Sequence, residues 1–404
     1  MNLFREAAAA ASVLRRALEG RKAQARWVRF EESRGSLEDQ RYSAVVHYAD
    51  GLVNMYQLEQ WYEPLRRLTE THPVAIVTRN VQSALHLSES SPLPVHFLPY
   101  IADVEEFMSR QNIGAVFYLN QNTRNFQMMR FREPAHVFLS HGESEKDYMA
   151  SNQLKAYDYT FIAGDAARDR LRGKLIGYDV DSRTREIGRP QVDVHVAPPV
   201  SLPDDDRTVV LYAPTWEGDR PSMTYSSLVS HAPAMLTRLV ATGAHRVIYR
   251  PHPRTGIADP SYRRKHGQIV ALLEQANRAD ASAKHIVDAA STFGWQLDAA
   301  DACIADISAV AFDWLATGKP IVLTLPANPQ ASVDEDGIAS TLVGVPAAGA
   351  ADIIAHLAAA DDPERIARRS ELVRYYFGDV TPGASMTRWL DAAKATIAAR
   401  IATT

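Results

Sequence analysis

The stretch from residue 301 to 322, DACIADISAVAFDWLATGKPIV, most constrains how this chain can fold. Residues 302–307 are apolar enough for a buried strand, and an amphipathic run follows them. Ser308 stands between the two as an N-cap, because a serine hydroxyl can accept from a free N–H of the first helical turn. Gly318 ends the run, and Pro320 prevents its continuation. The stretch predicts a strand, a helix and a strand. The helix N-terminus would bind an anion; an ordinary capped unit without a ligand is the alternative.

Strands and helices alternate in the same way through most of the chain. One alternating block precedes residues 198–206, PPVSLPDDD, and a second block follows them. That stretch has no periodicity, and its prolines and acidic residues indicate a linker. The pattern predicts two α/β domains, each with a parallel doubly wound sheet, whose strand carboxyl ends face into a cleft.

The predicted elements and domains have these bounds. The predicted strands are 44–48, 74–78, 95–98, 114–119, 137–140, 159–163, 208–212, 246–249, 285–287, 302–307 and 321–323. The predicted helices include 58–68, 104–111, 146–154, 225–240, 262–276 and 386–401. The predicted division is an N-terminal basic helical segment (1–40), a first α/β domain (41–197), a linker (198–207), a second α/β domain (208–385) and a closing C-terminal helix (386–404).

Charge, cysteine content and absent motifs exclude several classes of function. A net charge of −4 argues against a dedicated nucleic-acid binder. The single cysteine, Cys303, can form neither an internal disulfide nor a zinc cluster, which indicates a reducing compartment. No P-loop, GxGxxG, HExxH or GxSxG motif is present, which argues against an NTPase, a dehydrogenase, a zincin and an α/β-hydrolase. The pairs Asp204/Asp206 and Asp334/Asp336 have a metal-binding spacing, but both lie in loop-like sequence, so we predict no metal.

Residues 2–29 predict a basic, alanine-rich amphipathic helix. Its apolar residues lead into Arg15 and Arg16 rather than a cleavage site, so we expect no secretory signal. Such a helix can lie on an anionic membrane surface; a solvated packing helix or a frayed terminus is the alternative. No apolar run reaches the roughly 18–20 residues that span a bilayer. We therefore expect a cytoplasmic protein with possible contact to the inner face of the membrane.

His141 and Gly142 directly follow a predicted strand. A histidine at a strand's carboxyl end is a natural general base near neutral pH, and the glycine beside it allows a permissive backbone. Lys146 lies five residues further on, where its ammonium can reach an anionic group. A loop histidine without a role is the alternative interpretation.

Two later strand ends carry groups suited to phosphate. Thr215 offers a hydroxyl in the sequence YAPTWEG. In the sequence RPHP, two prolines stiffen the loop around His252, which fixes the place of the imidazole. Arg250 can hold a phosphate bidentately, and His252 can donate to it.

Taken together, these motifs resemble the CDP-glycerol glycerophosphotransferase family, the teichoic-acid primases and polymerases with a GT-B fold. The similar segments follow the family's order at 141–146, 157–171, 188–193, 212–216, 250–253, 306–320 and 377–385. Glu143 replaces the family's usual threonine, Glu217 its frequent arginine, and Ala309 a common serine. The order Arg189-Pro190 is also reversed. Glu143 would either raise the basicity of the histidine or repel an anionic acceptor.

The resemblance implies a GT-B-like α/β fold of two Rossmann-like doubly wound domains, acceptor-side first and donor-binding second. It also implies that an acceptor hydroxyl attacks the β-phosphorus of CDP-glycerol and releases CMP. The implied catalytic residues are His141, His252 and Lys146. The implied donor- and phosphate-binding residues are Arg250, Thr215, Ser308, Asp306, Asp313, Gly142 and Arg189. Asp313 would bind the nucleotide or only stabilise its helix. No cofactor or metal is implied.

Several choices stay open on the sequence alone. The donor is CDP-glycerol or a related CDP-alditol such as CDP-ribitol, and the expected acceptor is a lipid-linked precursor of a cell-wall or capsule polymer. A GT-B glycosyltransferase that uses a nucleotide sugar is one alternative. A catalytically inactive nucleotide-binding relative is another, because of Glu143 and Glu217.

Overall fold

The computed structural model describes residues 19–145, 147–290, 293–331, 333–334 and 336–402. The described chain forms two compact units. The first unit contains the chain up to His141, then Gln153–Phe161 and the chain from Leu390 onward. The second unit contains Gly142–Asn152 and Ile162–Trp389.

This division differs from the predicted one, which placed the boundary at the linker 198–207. Residues 162–197 belong to the second unit, because Ala163 and Ala166 pack in its apolar core. The predicted closing helix is also divided, since the boundary falls between Trp389 and Leu390. Linker-like composition therefore marks an irregular segment here but not the unit boundary.

The first unit is a parallel sheet flanked by helices. Its strands are β1 (Ala44–Tyr48), β2 (Val74–Thr78), β3 (Val95–Phe97), β4 (Ala115–Tyr118), β5 (Ala135–Phe138) and β6 (Tyr159–Ile162). Its helices are α1 (residues 19–34), α2 (Tyr56–Glu59), α3 (Tyr62–Thr69), α4 (Val81–Ser90) and α5 (Ile101–Arg110). With β7 (Thr184–Glu186) at its edge, the sheet has the strand order β3-β2-β1-β4-β5-β6-β7. The sequences AVVHY and VAIVT are buried throughout, as expected for parallel strands covered on both faces.

The second unit repeats this plan. The strands of its sheet are β8 (Thr208–Ala213), β9 (His245–Tyr249), β10 (Ile286–Val287), β11 (Ala302–Asp306), β12 (Ile321–Thr324) and β13 (Val343–Val345). Its helices are α6 (Asp165–Lys174), α7 (Val180–Arg183), α8 (Ala232–Ala241), α9 (Pro260–Ala279), α10 (Trp295–Ala299), α11 (Ala309–Leu315), α12 (Ile338–Thr341), α13 (Ile353–Ala360) and α14 (Pro363–Phe377). The last helix, α15 (Ala384–Ile401), begins in this unit and ends in the first.

The second sheet has the parallel order β10-β9-β8-β11-β12-β13. Counted from its own first strand, each sheet contains the order 3-2-1-4-5-6 of a Rossmann-like fold, to which the first sheet adds β7 as a seventh strand. This order confirms the predicted α/β class. The strand order reverses between β1 and β4 in one unit and between β8 and β11 in the other. Ligands of such sheets bind beyond the strand carboxyl ends at these switch points.

Alternate residues of β8 pack into different apolar clusters of the second unit. Leu211 lies in a cluster with Phe312 and Trp314, whereas Tyr212 lies in one with Leu236. Because successive side chains of a strand point to opposite faces, the two clusters cover both faces of this sheet.

Most predicted elements are confirmed, and the exceptions are short or irregular. Every predicted strand overlaps an observed one, while β7 and β13 have three residues each and were missed. The helix predicted at 146–154 is wrong, because two 3-10 turns, Asp147–Ala150 and Asn152–Ala156, occupy the segment. The predicted helix 225–240 begins only at Ala232. Further 3-10 turns span Leu52–Asn54, Thr123–Arg130, Pro190–Asp193, Pro221–Met223 and Ala347–Asp352.

The predicted basic helix 2–29 lies partly outside the described residues, which begin at 19. Helix α1 packs on the first unit, where buried Trp27 meets Phe97 edge-on with ring centroids 5.8 Å apart. Its membrane contact stays a prediction. Across the described residues, the structure contains no helix both long and apolar enough to cross a membrane.

Gly114 offers a test of how α15 packs against the first sheet. A β-carbon at Gly114 would lie 2.5 Å from the carbonyl oxygen of Ile397, a backbone atom that cannot turn away. We expect Gly114→Ala to lower the urea midpoint of unfolding by an amount equivalent to about 1–3 kcal/mol. Gly267→Ala is the control, because Gly267 lies inside α9 and a methyl group added there would meet no atom within 4 Å. Alanine there should stabilise slightly. Equal midpoints for the two variants would contradict the packing.

Candidate active site

Asp306 organises the carboxyl ends of the central strands in the second unit. Its carboxylate is fully buried at the end of β11. One oxygen accepts from the backbone N–H of Thr215 at 2.7 Å, and both accept from the N–H of Ser227 at 3.1 and 3.2 Å. The hydroxyl of Thr324 on β12 also donates to it. One side chain therefore ties the loop after β8 to β11 and β12, at the point where the strand order reverses.

The carboxylate of Asp306 holds the loops of the candidate site in place. Every hydrogen bond described for this carboxylate comes from a group of the protein itself, so Asp306 acts as a positioning residue. Burial raises the pKa of Asp306 to about 6, although the hydrogen bonds from Ser227, Thr324 and Thr215 oppose that shift. The sequence had placed Asp306 among the donor-binding residues; the structure shows what it holds in place.

Ser308 stands at the N-cap position of α11 as predicted, but its hydroxyl makes no capping bond. Its Oγ is buried and has no hydrogen-bond partner within the described chain. The predicted cap bond is therefore wrong. Helix α11 has seven residues, about two turns. A buried serine oxygen without a partner is unusual in a folded protein.

Arg189 and Asp313 form a buried ion pair. Arg189 Nε lies 2.6 Å from one oxygen of Asp313 and an Nη lies 3.2 Å from the other, so the contact is bidentate. Both residues are almost fully buried. The sequence placed both among the donor-binding residues and left Asp313 between two roles. In the structure this residue of α11 and Arg189 neutralise each other's charge, which suits a structural role.

Gly142 is small because it packs closely, not because its backbone needs special freedom. A β-carbon there would lie 3.0 Å from that of Ala309 and 3.7 Å from an Nη of Arg189. Its φ is not positive; the left-handed residue is Ser140, with φ of +62°. The permissive backbone predicted at Gly142 is therefore found two residues earlier.

The departure at Glu143 is neutralised inside the second unit. Its Oε1 lies 2.7 Å from Arg170 of α6, and both side chains are nearly buried. Nearby, Glu145 accepts from the backbone N–H of Ile338 at 2.7 Å and from the hydroxyl of Tyr376. Burial raises the pKa of Glu145. These acidic residues anchor the segment after His141. Glu143 is thus a paired anion, which weakens the expectation that it repels an acceptor.

The departure at Glu217 likewise has a structural partner. The buried carboxylate accepts from the backbone N–H groups of Gly256, Ala258 and Asp259 at 2.9, 2.8 and 3.1 Å. These groups belong to the loop between β9 and α9. Glu217 therefore fixes the loop that carries His252. This structural role explains the glutamate at position 217 without assuming that the protein is inactive.

His252 is held in a defined tautomer. The backbone N–H of Arg254 donates to its Nδ1 at 3.1 Å, so the neutral ring carries its proton on Nε2. Its ring stacks on Trp216, with centroids 6.4 Å apart and planes at 27°. The imidazole can therefore donate a hydrogen bond from Nε2, as the sequence predicted for a phosphate contact.

Arg250, the predicted phosphate-binding arginine, contacts an acidic residue. Its Nη1 lies 2.5 Å from Oδ2 of Asp288, which also accepts from the side chain of Gln296. The guanidinium also lies 5.2 Å from the ring centroid of Phe293. Its charge is therefore balanced within the fold.

His141 belongs to the first unit, three residues after β5. Its Nδ1 lies 3.4 Å from the carbonyl oxygen of Leu119. A carbonyl can only accept, so Nδ1 carries the proton and Nε2 keeps a lone pair. The carbonyl of the preceding Ser140 accepts from Nε1 of buried Trp61 at 2.9 Å. The turn that presents His141 is thus fixed by a packed tryptophan.

Lys146 lies outside the described residues, so its predicted role stays a prediction. In the described ranges, no group of three or more histidine, cysteine, aspartate or glutamate side chains is arranged to hold a metal ion. Sequence reasoning missed Arg254, whose backbone orients His252 and whose side chain lies on Trp216. The signal was present in the sequence, since Arg254 directly follows RPHP.

The fold defines a GT-B-like protein with two Rossmann-like α/β units. Residues 139–328 match the family "CDP-Glycerol:Poly(glycerophosphate) glycerophosphotransferase". This match confirms the resemblance predicted from the motifs and supports a CDP-glycerol glycerophosphotransferase-like enzyme. A comparison with curated protein sequences finds no match.

Solved structures share the fold over nearly the whole chain. The wall teichoic acid polymerase TagF is 14% identical, with a TM-score of 0.56 over 89% of this chain and 90% of that one. A histidine variant of TagF with CDPG has a TM-score of 0.54 at 14% identity over 89% and 90% of the two chains. A putative UDP-N-acetylglucosamine 2-epimerase from Listeria monocytogenes is 14% identical, with a TM-score of 0.58 over 90% and 98%. At such identities these likenesses show the fold alone.

The buried carboxylate of Asp306 predicts an unusual pH dependence. Its pKa of about 6 in the folded chain exceeds the roughly 3.9 of an unfolded aspartate. Between these values the folded chain binds the proton more tightly. The contribution of Asp306 to the free energy of unfolding therefore rises as pH falls from about 6 to about 4.

Asp306→Asn removes this titration and places an amide N–H against the donors of Thr215 and Ser227. We expect a loss of about 1–3 kcal/mol at pH 7. The gap to the wild type should widen by up to about 1.4 kcal/mol per pH unit between pH 6 and 4. Urea unfolding at pH 7 and 5 measures both, with exposed Asp391→Asn as the control. A gap that does not change with pH would contradict the buried, raised pKa.

The Arg189–Asp313 pair predicts strong coupling in a double-mutant cycle. Arg189→Met or Asp313→Leu alone leaves an uncompensated buried charge and should cost about 3–5 kcal/mol. The double variant should cost far less than the sum, because neither charge remains. Chemical unfolding of the four proteins measures the coupling. Additive losses in the free energy of unfolding would mean that the two residues act independently. Either residue could then contact a ligand directly.

Proposed function

We propose that this protein transfers glycerol phosphate from CDP-glycerol to an acceptor hydroxyl and releases CMP. The observation that most supports this proposal is that the two candidate histidines have opposite tautomers. The bond to Leu119 leaves a lone pair on Nε2 of His141, whereas the bond from Arg254 leaves a proton on Nε2 of His252. One ring is thus suited to accept a proton and the other to donate a hydrogen bond. Both functions assist the transfer of a phosphoryl group to an alcohol.

In the proposed reaction, His141 Nε2 takes the proton of the attacking hydroxyl as its oxygen bonds to the β-phosphorus. The bond from that phosphorus to the bridging oxygen breaks, and the bridging oxygen leaves with CMP. The Nε2–H of His252 stabilises the charge that develops on the diphosphate. The rest of the stabilisation is electrostatic, from donors fixed in the folded chain before the reaction. Lys146 would neutralise the acceptor or the transferred group.

The phosphate end of the donor is assigned to the second unit, at the strand ends around Thr215, Ser308 and His252. Three buried hydroxyl oxygens in these loops lack hydrogen-bond partners among the described residues: Ser226 Oγ, Thr255 Oγ1 and Ser308 Oγ. Such atoms are rare in folded proteins, and in loops at a switch point they support a polar ligand. The likeness to a TagF variant studied with CDPG adds support for a cytidine diphosphate donor.

The acceptor we propose is a lipid-linked precursor of a cell-wall or capsule polymer, reached at the inner face of the membrane. The support is the family match and the likeness to a wall teichoic acid polymerase. The basic residues of segment 2–29 suit that location. The structural roles of Glu143 and Glu217 support a working enzyme rather than an inactive relative.

The first experiment is CMP release from CDP-glycerol with and without a lipid-linked glycerophosphate or disaccharide acceptor, beside CDP-ribitol and a panel of UDP- and GDP-sugars. The proposal expects acceptor-dependent CMP. Turnover only with a nucleotide sugar would keep the fold and replace the proposed reaction with glycosyl transfer. Binding of cytidine nucleotides without turnover on any acceptor would favour the inactive relative.

His141→Ala should reduce turnover by about 10²–10⁴-fold, the usual contribution of a general base. Donor affinity should stay close to that of the wild type, because His141 is assigned to the acceptor hydroxyl. CMP release measures turnover, and calorimetric titration with CDP-glycerol measures donor affinity. His86→Ala is the control, an exposed histidine of the same unit on α4. Normal turnover of the His141 variant would remove the base assignment.

A further inference from the structure

Two arginines flank His252 in the loop after β9, and their surroundings differ. Arg250 is balanced by Asp288 at 2.5 Å, and both side chains are nearly buried, 11% and 4% exposed. Asp288 is held in turn, because its Oδ1 accepts from the backbone N–H of Ala290 at 3.2 Å. Moving Arg250 onto a ligand would leave a buried carboxylate without its cation, which is costly.

Arg254 has no such balance. Within the described chain, no carboxylate lies within 4.0 Å of its guanidinium nitrogens. Its Nε is buried and has no hydrogen-bond partner there. The guanidinium carbon instead lies 3.8 Å from the ring centroid of Trp216, a cation–π contact that holds the charge in place without neutralising it. A half-buried cation with an unsatisfied donor is suited to an anionic ligand.

Arg254 is also joined to His252 in two ways. Its backbone N–H donates to the imidazole Nδ1 at 3.1 Å, which fixes the tautomer of that ring. Its guanidinium and the imidazole both contact the ring of Trp216. The nearest acidic residue in sequence to Trp216 is Glu217, whose oxygens are engaged by three backbone N–H groups of 256–259. The cation and the imidazole are therefore held on one aromatic platform.

We propose that Arg254 is the arginine that binds the diphosphate of the nucleotide donor, and that Arg250 fixes the loop through Asp288. A guanidinium binds phosphate oxygens bidentately through its planar fork, so Arg254 would add two charge-assisted hydrogen bonds next to the one from His252. The inference rests on the proposed function for the identity of the ligand. It gives Arg254 the contact that the sequence predicts for Arg250.

Calorimetric titration with CDP-glycerol and with CMP tests this assignment. Arg254→Gln should weaken CDP-glycerol binding by about 10- to 100-fold, the value of charge-assisted hydrogen bonds to one ligand. CMP, which lacks the second phosphate, should lose less. Arg254→Lys keeps the positive charge but lacks the planar guanidinium. Its affinity for CDP-glycerol should lie between those of the wild type and Arg254→Gln. Exposed Arg264→Gln on α9 is the matched control and should bind as the wild type does.

Thermal unfolding separates the two arginines. Arg250→Gln should lower the unfolding temperature, because it leaves Asp288 unpaired, whereas Arg254→Gln should leave that temperature nearly unchanged. Wild-type affinity of folded Arg254→Gln for CDP-glycerol would overturn the inference and leave the proposed function standing. If the wild-type protein binds only another nucleoside diphosphate, the proposed function fails, and the same loss is expected with that ligand. Binding of no such nucleotide would overturn both.

Discussion

The second unit depends on one buried carboxylate. Asp306 ends β11, the strand on one side of the switch point, and holds the N–H groups of Thr215 and Ser227 and the hydroxyl of Thr324. A buried charge is costly unless donors surround it, so these loops are fixed as a set rather than one at a time. The Glu217 carboxylate extends this order to the loop of His252. The candidate donor site is therefore built on carboxylates that bind backbone N–H groups of the protein itself.

The fold was largely predictable, because long apolar strands separated by amphipathic helices leave few alternatives. The strands 44–48 and 74–78 were predicted with their observed bounds, since they are buried throughout. The missed strands, β7 and β13, are too short for a period to show. The segment 146–154 was predicted as a helix, but two 3-10 turns occupy it. Just before it, Glu143 and Glu145 bind groups distant in sequence, which local propensity cannot show.

The candidate site was predictable in position but less so in residue roles. Strand-end motifs identified the loops of His141, Thr215 and His252, because the carboxyl ends of parallel strands are where ligands bind. The sequence cannot show which charges are already paired. Arg189 with Asp313 and Arg250 with Asp288 are pairs that only folding brings together, across 124 and 38 residues. Arg254 was overlooked because its role depends on Trp216, which lies on another loop.

The account depends most on the opposite protonation of His141 and His252. The nitrogen chemical shifts of the two imidazoles in the ¹⁵N-labelled protein report which ring nitrogen carries the proton, with His141→Gln and His252→Gln spectra assigning the signals. The account predicts Nδ1–H for neutral His141 and Nε2–H for neutral His252. The same tautomer at both positions, or a proton on Nε2 of His141, would contradict the proposed division between base and donor.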